Sequence, residues 1–285
     1  MQRLKDAAKA RLFRISSDDN IIFLQEIAQS RPESVFDHPY LALYRRAHEK
    51  YGAKVVLNLF YDNSTSRGFE KDRGDFDLSM MPDCYKTEWA QNADWLKFSF
   101  HALREFPEFP YRTADGETVF ADAEKVHREV VRFAGKSSLA NFATVHFGEI
   151  TKSGLAALRH AGYKGFCGYF DVKNGKPLVA YGKDEEFCRR ITREKISRSD
   201  DTVFAKIDLC MNLLPTVREN VAKLSEAVCA DEFGFIHIMI HEQYFYEDYA
   251  AYMKEYGDIL LACCELLSEA GYRGGYYSDI SEEFR

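Results

Sequence analysis

Carboxylates and imidazoles recur in this sequence at points where an apolar run stops. Asp18-Asp19 closes the run 13–17; His101, with Glu105 four residues on, follows 95–100; His146, with Glu149 three residues on, follows 143–145; His241-Glu242 closes 234–240. Two adjacent ionised aspartates repel each other. They are tolerable in a screened surface turn, and useful where one holds a cation while the other accepts a proton. On a helical turn, His101 and Glu105 would share a face and could grip one cation. Paired carboxylates offer a different chemistry, with Glu149 and Glu242 as acid and nucleophile or base of a metal-independent glycosidase.

Each stretch also has a plainer role. Ser17, Asp18 or Asp19 can cap a helix expected over residues 21–28 by accepting hydrogen bonds from its free amides. A His and a Glu four apart occur often by chance, and His237, on the same strand face as His241, reads as a satisfied core histidine. Recurrence is what favours function. Parallel barrels place catalytic groups at the carboxyl ends of their strands, and here the polar groups fall at successive expected strand ends.

The elements that must position these groups alternate along the chain. Short runs rich in Val, Leu, Ile and Phe at residues 54–60, 95–100, 143–149, 166–170, 203–212 and 234–241 read as strands. Helical patterns at 39–51, 84–92, 122–135, 151–160, 217–230 and 246–270 lie between or after them, and residues 271–277 read as a terminal strand. This order predicts an α/β fold, a distorted (β/α)7-type parallel barrel. Residues 1–285 are expected to form a single domain with inserted loops near 61–83 and 171–201. The first insertion is a candidate lid. The loop 106–111, with two prolines and three aromatics, is suited to stacking on a sugar ring or to packing over the barrel rim.

Composition excludes several classes. A net charge of −7 with an isoelectric point near 5.7 argues against a general nucleic-acid surface, and the basic run at 189–195 is broken by Glu194. No run is long enough to span a bilayer, and residues 1–14 lack the apolar centre of a secretory signal, so a cytoplasmic protein without a membrane partner is expected. The seven cysteines contain no C-x-x-C pair, which argues against both a disulfide framework and a thiolate zinc site.

Ser16-Ser17-Asp18-Asp19 is similar to the T-F-D-D strand end of the polysaccharide deacetylases with a NodB-homology domain, carbohydrate esterase family 4. His101-Ala102-Leu103-Arg104-Glu105 resembles that family's H-[ST]-x-x-H, with Glu in place of the second His. Val145-His146-Phe147-Gly148 with the later Ala161-Gly162-Tyr163 echoes its third motif without the Arg and Pro, and Met239-Ile240-His241 resembles its closing Leu-x-His. The resemblance runs from Phe13 to Tyr277. It implies a metal-dependent (β/α) barrel that removes an acyl group, acetyl for example, from a carbohydrate or a small acylated substrate. It further implies Asp18 as general base, Asp19 and His101 as ligands of a divalent ion, zinc being the expected one, and His241 as general acid. Glu105, His146 and His241 are each candidates for the third ligand. A catalytically silent barrel that binds a saccharide is the remaining reading.

Overall fold

Leu12–Asn20 (β1) is buried along all nine of its residues, as befits a strand with neighbours on both edges and cover on both faces. The computed structural model describes residues 11–284. The remaining strands are β2 (Val55–Phe60), β3 (Leu96–Ala102), β4 (Phe142–Ala143), β5 (Gly165–Gly168), β6 (Asp171–Lys173), β7 (Lys176–Leu178), β8 (Ile196–Ser199), β9 (Thr202–Lys206), β10 (Leu209–Cys210), β11 (Phe235–His241) and β12 (Arg273–Gly274). The helices are α1 (Ile22–Ser30), α2 (Pro39–Tyr51), α3 (Lys86–Gln91), α4 (Gly116–Phe133), α5 (Lys152–His160), α6 (Glu185–Glu194), α7 (Val217–Cys229) and α8 (Tyr256–Glu269).

Two sheets make the wall. One runs β10-β11-β1-β2-β3 with β12 also against β1, all parallel; the other runs β4-β5-β9-β8, parallel except for β8. They meet at both margins. At one, the Ala140 amide donates to the Phe98 carbonyl at 2.8 Å; at the other, Ile207 donates to Gly168 and Asp208 to His237, both at 2.8 Å. The result is the expected α/β parallel barrel, distorted because at one margin the sheets share only a bridge and at the other only the chain passing from β9 to β10.

Helix α1 begins two residues after β1, and the side-chain cap expected from the Ser17-Asp18-Asp19 cluster does not form. Those residues lie inside the strand. The cap comes instead from Glu242, fully buried, whose carboxylate accepts from the amides of Ile21, Ile22 and Phe23 at 2.7, 3.1 and 2.6 Å and from the Tyr246 hydroxyl at 2.8 Å. Satisfying three free amides at once, it joins the end of β11 to the start of α1.

Other boundaries moved for local reasons. The expected strand 143–149 stops at Ala143 and passes into a 3-10 turn at His146–Gly148, where Phe147 adopts φ 60°. The last helix begins at Tyr256 and not at 246, because the segment after Glu242 is a 3-10 turn followed by loop. Residues 171–201 fold as the hairpin β6-β7, helix α6 and strand β8 antiparallel to β9.

Candidate metal centre

Alternation along a strand would send Asp18 and Asp19 to opposite faces of the sheet. The pairing of β1 with β2 avoids this. Ser17 lies opposite Leu57 while Asn20 lies opposite Leu59, so β1 carries one extra residue, and Asp19 takes up φ 61°. This bulge in the strand turns both carboxyl groups towards the barrel mouth. A non-glycine residue in the left-handed region is strained, and such strain is characteristic of functional positions.

Asp19 meets two imidazoles there. Its Oδ1 lies 3.0 Å from His101 Nε2 and 3.3 Å from His146 Nδ1, and the two ring nitrogens are 3.0 Å apart. The partners of the opposite ring nitrogens decide the tautomers. His101 Nδ1 donates to the Thr144 carbonyl at 2.5 Å, and His146 Nε2 donates to the Glu105 backbone carbonyl at 3.0 Å. In the neutral rings, His101 Nε2 and His146 Nδ1 therefore both present lone pairs to a carboxylate oxygen. Asp19 Oδ1 is itself buried without a hydrogen-bond partner. Three electron-rich atoms converging in a buried space call for a cation, and backbone carbonyls behind both rings are the usual support for metal-binding histidines. Asp19, His101 and His146 form the group among the described residues able to hold an ion, and a donor set of two imidazoles and a carboxylate suits zinc.

The two aspartates are driven apart electrostatically. When the rings are protonated instead, burial still raises the Asp19 carboxyl, but the charge on His146 and the hydrogen bonds that His101 and His146 then donate outweigh it and hold the group well below its ordinary value. At Asp18 burial wins: the carboxyl stays raised despite His101, His241 and a 2.6 Å hydrogen bond from the Asn58 amide, with Asp19 adding to the rise. Adjacent carboxyl groups tuned in opposite directions can divide into an anionic ligand and a proton acceptor. Asp19 Oδ2 accepts from Gln243 Nε2 at 3.0 Å.

His241 sits opposite Asp18 in the β11–β1 register. Its Nδ1 donates to Asn212 Oδ1 at 2.8 Å, leaving Nε2 without a hydrogen bond among the described residues. Glu105 does not share a helical turn with His101, because His101 lies within β3 and the chain beyond Ala102 is loop. Its carboxylate is outside the triad and accepts from the Arg67 amide at 3.3 Å; burial, then the charge on Asp19, pushes it up to about 7. Only its backbone reaches the cluster.

The glycosidase pair is overturned. Glu242 is fully buried under α1 with both oxygens engaged, and Glu149 forms an ion pair with Arg112 at the surface. His237 is the core histidine expected, bonded to Ser16 Oγ at 2.9 Å and Tyr277 Oη at 3.1 Å.

Four supporting residues escaped the sequence reading: Asn58, Thr144, Asn212 and Gln243. A signal existed only for Asn58, a lone amide in the otherwise apolar run Val55–Phe60. Thr144 acts through its backbone, which no side-chain pattern announces.

No protein-family model matches the sequence, and no curated protein matches it. Among solved structures, the chain is similar in fold to 4-alpha-glucanotransferase from Thermococcus litoralis, with a TM-score of 0.55 and 11% identity over 95% of this chain and 40% of that one. It thus spans well under half the length of that enzyme. A CE4 esterase from Streptococcus mutans aligns with a TM-score of 0.47 and 8% identity, over 96% of this chain and 89% of that one. A family 4 carbohydrate esterase from Streptomyces lividans, in complex with acetate, aligns with 0.41 and 11%, over 94% and 93%. At such identities the likeness is one of fold.

Proposed function

We propose that this chain is a divergent polysaccharide deacetylase of the NodB-homology type, a metal-dependent hydrolase that removes an acyl group from a carbohydrate. One observation carries the reading. A buried Asp/His/His cluster with converging lone pairs lies beside a second buried aspartate, and a histidine faces that aspartate from the neighbouring strand. Asp19, His101 and His146 would hold the ion, with zinc the best match to the donors; when bound there, it would supply Lewis acidity for the acyl carbonyl. Asp18 is the general base, held by Asn58 and positioned by the strand bulge. His241, oriented by Asn212, gives its Nε2 proton to the leaving group. Where the family has a second His in H-[ST]-x-x-H, this chain has Glu105, and His146 brings the missing nitrogen from the turn after β4.

Phe109 and Phe147, with ring centroids 4.5 Å apart, offer an aromatic lip beside His146 on which a sugar ring can stack. Among the described residues no helix is long and apolar enough to cross a membrane. We place the enzyme in the cytoplasm, supported by its seven free cysteines.

The test is acetate release from a panel of acetylated sugars by zinc-loaded protein, with metal content measured on the same samples. Release by the wild type, and loss of both metal and release in Asp19→Ala, is the expected result. Full metallation with no release across the panel removes the hydrolase assignment and leaves a saccharide-binding barrel. Metal retained by both Asp19→Ala and His101→Ala removes the ligand assignment.

A further inference from the structure

Asp18, Ser16 and Arg14 alternate along β1 and so share the face that looks into the barrel. Arg14 comes four residues before Asp18, about 13 Å deeper at the strand rise. There a cavity of about 240 Å³ is lined by Arg14, Val56, Lys97, Asn141, Phe142 and Tyr276. Arg14 is 1% exposed, and its Nε and Nη2 are buried with no hydrogen-bond partner among the described residues. The guanidinium lies over the Tyr277 ring at 5.0 Å, which offsets only part of the cost of burying a charge.

The surroundings add positive charge, with Asp94 and Asp279 acting on Lys97 from outside the lining. Lys97 Nζ donates to the Ser137 carbonyl at 2.6 Å; burial and the neighbouring Lys54 charge hold its ammonium below the ordinary value, against Asp94 and Asp279. Asp279 is engaged by Lys54 at 2.8 Å, and no carboxylate lines the cavity among the described residues. His237 also registers the uncompensated charge, since burial and then Arg14 hold its imidazole well below the ordinary value. Half-buried Lys97, Ala140, Asn141 and Ser278 form the rim, through which a small solute can enter.

We propose that this cavity binds a small oxyanion, drawn by the buried guanidinium charge of Arg14 and the ammonium of Lys97, with phosphate dianion the best match to two cations. The site lies at the amino-terminal end of the strands, opposite the metal centre, and stands independently of the deacetylase reading.

Titration calorimetry and thermal melts of the full chain in oxyanion-free buffer test it, with inorganic phosphate and acetate as probes. Phosphate is expected to bind saturably and raise the melting temperature. Arg14→Met should weaken binding by about tenfold or more, and should melt higher than wild type without phosphate because an unpaired buried charge is gone. Lys97→Gln, at the half-exposed rim, should weaken binding several-fold and serves where Arg14→Met does not fold. Asp19→Ala should leave phosphate binding intact. Acetate binding as tightly as phosphate keeps the site and assigns it to carboxylates. The proposal is overturned if neither anion binds saturably, if both barrel-foot variants bind like wild type, or if phosphate binding disappears in Asp19→Ala.

Discussion

At the level of single residues, the candidate metal centre depends on which atom each side chain offers. Glu105 stands where the resemblance places a histidine ligand, yet it reaches His146 only through its carbonyl oxygen. Glu105→Gln is therefore expected to keep the wild-type metal content, while His146→Ala loses it; elemental analysis of both proteins decides between the two ligand sets. Asp18 has the complementary role. Asp18→Asn keeps the hydrogen-bonding shape beside Asn58 but cannot accept a proton, so metal content should be unchanged and kcat for acyl release should fall by about 10²–10⁴-fold, the range for losing a general base. The doublet was visible in the sequence, and so were both histidines. The bulge that aims the two aspartates the same way was not, because it arises from a mismatch of count between β1 and its neighbour.

At the level of elements, Glu242 changed meaning most. In the sequence it follows His241 at a strand end and passes for a catalytic acid; in the fold it holds the first turn of α1. Glu242→Ala leaves three buried amides without an acceptor, and a loss of about 3 kcal/mol is expected in urea denaturation. Helix α1 is also tied by Glu26, which takes His38 Nε2 at 2.8 Å and Arg73 Nη1 at 2.6 Å. Burial raises the Glu26 carboxyl, but these hydrogen bonds outweigh it and hold the group below its ordinary value. A depressed carboxyl contributes stability above its unfolded value of 4.5, and that contribution is lost as pH falls through the lower folded value. Glu26→Gln should accordingly flatten the fall in melting temperature below about pH 4.5. Helix and strand order was legible outside 171–201, since apolar periodicity reports burial; there the hairpin β6-β7, helix α6 and strand β8 stand where an inserted loop was expected. Where strands end was less so: β4 looked like a seven-residue strand, and His146 instead rides a turn.

At the level of the whole molecule, the polar segment 61–83 packs as a strap across the mouth side. Arg73 bonds Glu26 and Asp248, at 2.6 and 2.5 Å, and lies over the rings of Phe69 and Tyr246 at 4.8 and 4.6 Å. Further ties come from the Phe69–Tyr249 bridge and the Asn63–Gln25 hydrogen bond at 2.9 Å. Removing Arg73 should loosen the strap locally. Arg73→Ala is expected to raise limited proteolysis within 61–83 by about tenfold, with the global melting temperature little changed.

The sequence alone determined the alternation of strands and helices, the parallel α/β architecture and the set of polar groups gathered at the carboxyl ends of strands. Those follow from local periodicity and from chain direction, which are written in neighbouring residues. Tertiary structure decided which of the groups meet. His101 and His146 converge on Asp19 because β3 and β4 belong to different sheets that touch at one margin, and their tautomers are chosen by the carbonyls of Thr144 and Glu105. Glu242 is drawn under α1 by three free amides some 220 residues away in sequence. Among the described residues Arg14 is left without an ion-pair partner at the barrel foot. Each of these outcomes depends on distances between segments remote in the chain, and periodicity carries no information about them.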